Sequence, residues 1–272
     1  MNYIYKLKKI YESIVKRERA IVCGSTQGIG KAIALMLSKQ KAHITLVARD
    51  ETKLKSVLKE LDSSDNQEHN FIIADFNDPD KLKALINTFL SEGYNAEILI
   101  NNTGGPPAGQ IMDAKKEEFD QYLSMHLHCS HILVKALVPH MKKSKFGRIV
   151  NIISVSVKAP IQNLGVSNTV RWAIASWSKT LSFELGKFGI TVNNILPGFT
   201  LTERLKDLIK SNAITYHKKE REIENEYKLE IPSARFANPE EIASATCFLC
   251  SNEASYINGI NLPVDGGYSV TL

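Results

Sequence analysis

Two side chains in the segment GVSNTVRWAIASWSKTLSF are spaced so that they could act on one ligand. Ser167 and Arg171 are four residues apart, and the surrounding pattern predicts a helix, so both lie on the same helical face. The serine offers a hydroxyl group, and the arginine offers a permanent positive charge that suits a ribose or a phosphate. Whether this face does chemistry depends on the elements that surround it.

A glycine-rich turn earlier in the chain has the composition of a phosphate-binding loop. The segment CGSTQGIG follows an apolar strand and opens an apolar helix, with a GxxxGxG spacing. Glycines permit a tight turn, and the free N–H groups and dipole of the following helix favour an anion. The spacing differs from the GxGxxG motif, but the position after the first strand predicts the same role. The residues expected to contact a dinucleotide are Gly24, Ser25, Thr26, Gln27, Gly28, Ile29 and Gly30.

The ends of the next two strands indicate which dinucleotide is bound. An acidic residue after the second strand favours NAD, whereas an arginine nearby suits the 2′-phosphate of NADP. The second strand ends LVARD, so Arg49 comes first and Asp50 after it, which favours NADP. After the third strand, Asp75 and Phe76 are expected beside the adenine. The alternative for Asp75 is that it caps the next helix.

The elements that must position these residues alternate regularly. Apolar strands are predicted at RAIVCG, HITLVAR, NFIIADF, AEILINN, GRIVNIIS, GITVNNILPG and INLPVDGG, with helices between them. Such alternation predicts an α/β fold with a parallel sheet covered on both faces. Long helices are predicted over 115–143 and 163–187, and a charged helical insert at about 200–230. Asp78 is expected to cap the helix that begins at Pro79. No break in composition divides residues 19–272, so one domain is expected.

Composition and charge place the chain among ordinary globular proteins. Its 272 residues are 43% hydrophobic and carry a net charge of +5, with the lysines dispersed. Specific nucleic-acid binding is better supported by a clustered basic stripe. No apolar run reaches the roughly 20 residues that span a bilayer, and no secretory signal pattern is present. We therefore expect a cytoplasmic protein.

Two further features have a structural and a functional interpretation. Cys247 and Cys250 form a CxxC inside an apolar helical pattern, and no second CxxC completes a zinc site, so all four cysteines are predicted to be reduced core thiols. Residues 1–18 have apolar side chains at helical spacing and a lysine-rich opposite face. Such a helix can lie on a membrane, but packing on its own domain or on a neighbouring subunit is favoured.

Several spaced motifs together resemble the short-chain dehydrogenase/reductase family, and in particular proteins similar to 3-oxoacyl-acyl-carrier-protein reductases. They are CGSTQGIG, NNTG at 101–104, GRIVNIIS ending at Ser154, ITVNNILPG at 190–198 and INGINLPVDGG at 257–267. The resemblance covers about residues 19–270. It implies a Rossmann-like, doubly wound sheet of seven strands, a nicotinamide cofactor at the strands' carboxyl ends, a substrate lid at about 200–230, and a homotetramer or homodimer. It also implies cofactor contacts from Asn102, Thr103, Gly104, Pro197, Gly198 and Thr200.

The sequence departs from the family at three of its four catalytic positions. The family uses a serine, a tyrosine thirteen residues later, a lysine four residues after that, and often an asparagine on the preceding long helix. Counted from Ser154, the tyrosine position holds Ser167, the lysine position holds Arg171, and the asparagine position falls at His126. A serine hydroxyl is a poor acid–base group, and an arginine does not release a proton.

Another residue must therefore donate the proton if the chain is an enzyme. The candidates are Lys158, on the loop that borders the family's substrate cleft, Tyr216 in the lid, and His126. A metal site at His126, His128 and His131 is not expected, because these offsets do not share one helical face. The favoured function is an NADP-dependent oxidoreductase that transfers hydride to a small carbonyl substrate, with an atypical proton donor. The alternative is a catalytically weak or inactive NADP-binding protein that acts as a sensor or partner subunit.

Overall fold

A single parallel sheet of seven strands forms the centre of the protein. The computed structural model describes residues 18–270, so the predicted helix in the N-terminal basic segment lies almost wholly outside the described residues. The strand order is β3-β2-β1-β4-β5-β6-β7, and every neighbouring pair is parallel. This confirms the predicted doubly wound α/β fold. The strands are β1 Arg19–Cys23, β2 His43–Ala48, β3 Asn70–Ile73, β4 Ile98–Asn101, β5 Gly147–Ile152, β6 Ile190–Pro197 and β7 Asn261–Val264.

Helices cover both faces of the sheet, as the alternating pattern predicts. They are α1 Gly28–Lys39, α2 Glu51–Glu60, α3 Pro79–Ser91, α4 Lys116–Leu123, α5 Cys129–Ser144, α6 Gly165–Leu185, α7 Glu203–Thr215, α8 Glu220–Glu230 and α9 Pro239–Cys250. The side chain of Asp78 accepts a hydrogen bond from the Lys81 N–H at 3.0 Å, which confirms the predicted cap of α3.

Two layers of apolar side chains hold the helices on the sheet. Successive strand residues point to opposite faces, so Val22 joins the layer under α1 and α9, and Ile21 joins the layer under α3 and α5. Both side chains are fully buried. Each such side chain contributes about 1.5–3 kcal/mol through removal from water, which makes the sheet a rigid support for the loops at its ends.

The long helix predicted over 115–143 is present over residues 116–144, but it contains a π-helical turn at its centre. Residues Ser124–His128 form a π-helical turn between α4 and α5. The wider turn places His126 in the interior, where its Nε2 atom lies 3.0 Å from the carbonyl oxygen of Gly104. Helical periodicity does not reveal such a turn, and π-turns occur often at functional sites.

The cysteines are structural, as predicted. All four are free and buried, and burial raises the pKa of the Cys250 thiol to about 12. Within residues 18–270, no group of three or more His, Cys, Asp or Glu side chains is arranged to hold a metal ion. Over the same residues, no helix combines the length and the hydropathy needed to cross a bilayer.

Candidate active site

A cleft of about 600 Å³ lies at the carboxyl ends of the strands. The strand order reverses between β1 and β4, and in doubly wound sheets this reversal opens a crevice where ligands bind. Residues from both predicted groups, the dinucleotide contacts and the catalytic positions, line the same cleft. From the glycine turn these are Gly24, Thr26, Gln27, Gly28 and Ile29, and from later loops Arg49, Asp75, Phe76, Asn102, Thr103, Gly104, Ser154, Ser167, Arg171, Pro197, Gly198 and Thr200.

The glycine turn forms a cradle that side chains would fill. Gly24 and Gly28 have φ angles of 59° and 53°, in the left-handed region that glycine adopts without strain. A Cβ atom on Gly30 would lie 2.2 Å from the carbonyl oxygen of Gly24 and 2.7 Å from Nδ2 of Asn102. That amide nitrogen donates to the Cys23 and Gly24 carbonyl oxygens at 3.2 and 3.3 Å. Asn102 therefore fixes the turn from the adjacent strand end.

The first turn of α1 has N–H groups available for an anion. Gln27, the residue before the helix, makes no side-chain hydrogen bond to these groups. Gln27, Gly28 and Ile29 line the cleft, so the dipole of α1 and the N–H donors of its first turn are available to an anion bound there. Ser25 and Gly30, which were also predicted to contact the cofactor, do not line the cleft. Ser25 is buried and its hydroxyl donates to the Val47 carbonyl at 3.4 Å. Both residues shape the turn from behind.

Positive charge collects at the end of the cleft formed by β2 and β3. Arg49 and Lys53 both line it. Asp50 accepts a hydrogen bond from the Lys53 N–H at 3.0 Å and so caps α2. This carboxylate, the acidic residue nearest the end of β2, is thus engaged in the cap. Because the Asp50 carboxylate already accepts a capping hydrogen bond and Arg49 is exposed, this end of the cleft fits a 2′-phosphate better than a 2′-hydroxyl.

The alternative interpretation of Asp75 as a helix cap is wrong, because Asp78 caps α3. Asp75 instead accepts hydrogen bonds from the backbone N–H and side-chain amide of Asn77 at 2.9 and 3.0 Å. Its other oxygen lies 4.0 Å from Nη1 of Arg49. Both side chains are largely exposed, so this ion pair is weak and leaves Arg49 free for a ligand.

The inner end of the cleft holds the hydroxyl groups of Ser154 and Ser167 and the guanidinium group of Arg171. Ser154 follows β5, and its Oγ accepts a hydrogen bond from the Ser156 N–H at 3.1 Å. Ser167 and Arg171 lie one turn apart on α6, and both are buried. Nη1 of Arg171 donates to the Ile152 carbonyl at 3.1 Å, while its buried Nε has no partner within the described chain. Burial first, and then the nearby charge of Arg204, lower the pKa of Arg171 to about 10.

None of the three proton donors considered from sequence is among the residues that line the cleft. Lys158 does not line the cleft, and Tyr216 lines a separate depression beside α7. His126 does not line it either, and burial together with the charge of Arg171 sets its pKa well below the usual value. At neutral pH His126 is therefore uncharged.

Several cleft-lining residues were not predicted from the sequence, among them Lys53, Thr202, Arg204 and Tyr268. Lys53 lies in the first turn of α2, four positions after Arg49, so its closeness to Arg49 in the sequence was the available signal. Thr202 caps α7, and its Cγ2 would be 3.1 Å from a Cβ on Gly28. Tyr268 follows the last strand, and its ring meets that of Phe199 edge-on at 5.3 Å. No sequence signal places Tyr268 here, because it reaches the cleft only through the folding of the C-terminal segment.

Comparison with known proteins identifies the family to which this arrangement belongs. A family model described as enoyl-(acyl carrier protein) reductase matches residues 24–269. The chain belongs to the short-chain dehydrogenase/reductase family. The resemblance drawn from the sequence motifs is thereby confirmed.

Individual members of this family match over nearly their whole length. The chain is 31% identical to a 3-oxoacyl-[acyl-carrier-protein] reductase of Chlamydia muridarum, over 94% of this chain and 98% of the relative. It is 30% identical to the NADPH-dependent reductase BacG of Bacillus subtilis, over 93% and 98%. The crystal structure of L-sorbose reductase from Gluconobacter frateurii, complexed with NADPH and L-sorbose, superposes with a TM-score of 0.87 at 32% identity, over 95% and 98%.

Proposed function

We propose that this chain is an NADP-dependent reductase that delivers hydride to the carbonyl carbon of a 3-oxoacyl-like substrate and takes the proton from an atypical donor. The observation that carries the proposal is the meeting of two sites in one cleft. Ser154, Ser167 and Arg171 line the same cleft as the glycine turn and the predicted dinucleotide contacts. Family membership and the named reductases at about 30% identity support the same reaction class.

The residues of the cleft fit the dinucleotide. The glycine cradle and the N-terminus of α1 would hold the pyrophosphate, and Arg49 with Lys53 would hold the 2′-phosphate of the adenosine ribose. NADPH supplies hydride when bound. Everything else in the reaction falls to the chain, which must orient the carbonyl, stabilise negative charge on its oxygen and provide a proton.

Ser154 is suited to bind the carbonyl oxygen. Because its Oγ already accepts the Ser156 N–H, its own hydroxyl hydrogen is free to donate to a ligand. Ser167 brings a second hydroxyl to the same end of the cleft. Arg171 adds a buried positive charge that stabilises the oxyanion as it forms, and such preorganised groups are most effective where water is excluded.

Tyr268 is the phenol among the cleft-lining residues, and we assign the proton to it. An alkoxide is a far stronger base than a phenolate, whose conjugate acid has a pKa of about 10. Burial, with a smaller contribution from Glu230, raises the pKa of Tyr268 further. The side chain therefore stays protonated at neutral pH and is ready to donate. Lys158 and His126 do not line the cleft, and Tyr216 lines a separate depression. His126 is also uncharged at neutral pH, so it is not an acid there.

A binding and turnover experiment on one sample tests the proposal. Calorimetric titration should give tighter binding of NADPH than of NADH, and Arg49→Ala should weaken NADPH while leaving NADH unchanged. The same protein should then oxidise NADPH with at least one member of a panel of ketones, oxo acids and β-ketoacyl thioesters, followed by absorbance. Absence of binding by either dinucleotide would overturn the assignment of the whole cleft.

A second function is favoured by one observation. The position that holds the family's tyrosine carries Ser167, whose hydroxyl cannot be tuned towards neutrality as a phenol can. This favours an NADP-binding protein without turnover, acting as a sensor or an inactive partner subunit. That function predicts NADPH binding with no oxidation by any substrate, and activity gained in the double variant Ser167→Tyr with Arg171→Lys. Turnover by the unmodified protein, lost in Ser154→Ala, would exclude it.

A further inference from the structure

Two arginine side chains, Arg171 and Arg204, line the inner end of the cleft. Arg171 is 8% exposed and Arg204 lies on the first turn of α7; both line the cleft. Nη2 of Arg171 lies 3.2 Å from the position of a Cβ on Gly105, and Arg204 donates to the carbonyl of the next residue, Pro106, so the two guanidinium groups flank one short stretch of chain. The charge of Arg204 accordingly contributes to lowering the pKa of Arg171. Two like charges held this near one another repel, so the fold alone gives no reason for the pair.

The partners of both side chains are backbone carbonyl groups. Nη1 of Arg171 donates to the Ile152 carbonyl, and Nη2 of Arg204 donates to that of Pro106. A carbonyl accepts a hydrogen bond but does not neutralise a charge. Nε of Arg171 remains buried and without a partner in residues 18–270. Its side chain is more than nine-tenths buried, and an unpaired buried donor of this kind is costly.

The ionisable groups around the pair leave its charge uncompensated. Glu203, the carboxylate next to Arg204 on α7, lies 2.7 Å from Nζ of Lys206 and is paired with it. His126 approaches from the π-helical turn but is uncharged at neutral pH. The two other cleft-lining carboxylates, Asp50 and Asp75, lie at the opposite end beside Lys53 and Arg49. The inner end of the cleft is therefore strongly positive.

We infer that Arg171 and Arg204 form an anion subsite that binds a carboxylate of the substrate, so that the natural substrate is a small oxo acid. This rests on the proposed reductase function, because it assigns the substrate class of the same cleft. The dinucleotide phosphates have their own donors in the glycine turn, Arg49 and Lys53. A carboxylate can accept two parallel N–H bonds from a guanidinium, which fixes its orientation as well as its position. With the acid group so held, the oxo group lies near Ser154 and Ser167.

The test measures binding and needs no turnover. The probes are 2-oxo-, 3-oxo- and 4-oxopentanoate with their methyl esters, titrated by calorimetry into protein saturated with NADP. We expect at least one acid to bind about 10- to 100-fold more tightly than its ester, as charge-assisted hydrogen bonds do. Arg204→Gln should abolish this preference, and Arg204→Lys should keep part of it. Arg221→Gln, on the exposed surface of α8, should leave it unchanged.

Three results would overturn the subsite. The first is equal binding of acids and esters, and the second is no detectable binding of any acid. The third is a loss of NADPH affinity in Arg204→Gln equal to the loss for the acid, which would assign the pair to the cofactor phosphates. Failure of the reductase proposal is distinguishable. If the acids bind as expected but NADPH is never oxidised, the anion subsite is supported and the proposed reductase function is wrong.

Discussion

Replacement of Ser154 should affect the chemical step without affecting the binding of NADPH. Its hydroxyl hydrogen is free for a substrate oxygen, while its Oγ accepts the Ser156 N–H. Since negative charge grows on that oxygen as hydride arrives, Ser154→Ala should lower kcat about 10²–10³-fold, the cost of losing one oxyanion donor. The affinity for NADPH should stay unchanged. Steady-state kinetics and a fluorescence titration of NADPH measure the two quantities.

Ser156→Ala is the matched control for this prediction. The Ser156 hydroxyl is buried without a partner in the described chain, and its backbone N–H is kept in the variant. We expect kcat close to that of the unmodified protein. Equal losses in both variants would mean that the loop after β5 had been disturbed, and the assigned role of the Ser154 hydroxyl would then be wrong.

The phenol of Tyr268 gives a second prediction at the residue scale. Tyr268→Phe should lower kcat about 10²–10⁴-fold, as loss of a positioned general acid does. Because burial raises the pKa of Tyr268 above its usual value of 10.0, the protonated phenol persists across the neutral range. The pH profile of kcat should therefore be flat from neutral pH to about 10 and fall only above it.

Tyr216→Phe tests whether this effect is specific. Tyr216, at the end of α7, lines the separate depression, so the variant should keep full activity and the same pH profile. A fall in kcat that begins near pH 7 would assign the proton to a group other than Tyr268.

At the scale of single elements, the junction of β1 and α1 depends on a close approach of backbone to backbone. A Cβ on Gly30 would lie 2.2 Å from the Gly24 carbonyl oxygen, a distance that forces the turn to move. We expect Gly30→Ala to lower the free energy of unfolding by about 1–3 kcal/mol, as overpacking does. NADPH affinity should fall at least about 10-fold, because charge-assisted hydrogen bonds to the pyrophosphate are lost. Thermal unfolding and an NADPH titration measure both.

Gly109→Ala serves as the control for this turn. Its Cβ would meet nothing within 4 Å, and Gly109 does not line the main cleft. Stability and NADPH affinity should both be retained. Binding of NADPH by Gly30→Ala with unchanged affinity would show that the cradle does not hold the dinucleotide.

At the scale of the whole molecule, α6 presents apolar side chains on its outer side. Trp172 and Phe183 are eleven residues apart, about three turns, and so lie on the same side of the helix. They are 50% and 78% exposed. The predicted homotetramer or homodimer would cover them, and Phe183→Asp should then shift the protein towards single chains. Light scattering coupled to size exclusion measures the mass.

Leu229→Asp provides the comparison, because Leu229 is 84% exposed but lies on α8, away from this side of α6. The oligomer should survive that change. An unmodified protein with the mass of one chain would contradict the oligomer prediction directly.

Features that depend on residues close together in the chain were predicted from the sequence, whereas features that depend on contacts between distant residues were not. The cap of α3 at Asp78 was predicted because capping involves residues three positions apart. The π-turn at 124–128 was not predicted, and it brings His126 against the carbonyl of Gly104, 22 positions earlier in the chain, a contact that helical periodicity does not show. For Asp75 the sequence allowed either a contact with the adenine or a helix cap. The structure excludes the cap, because Asp78 caps α3 and Asp75 binds the N–H of Asn77.

By itself, the sequence determined the strand and helix alternation, the glycine turn, the family and the loss of the tyrosine and lysine at Ser167 and Arg171. These features depend on local periodicity and on residue type at fixed spacing, both of which are visible along the chain. The tertiary structure alone decided that Arg204 lines the same cleft as Arg171, that Tyr268 enters the cleft and that Lys158 does not line it. Such proximities arise when distant segments converge at one edge of the sheet, and burial then sets the charges that they carry.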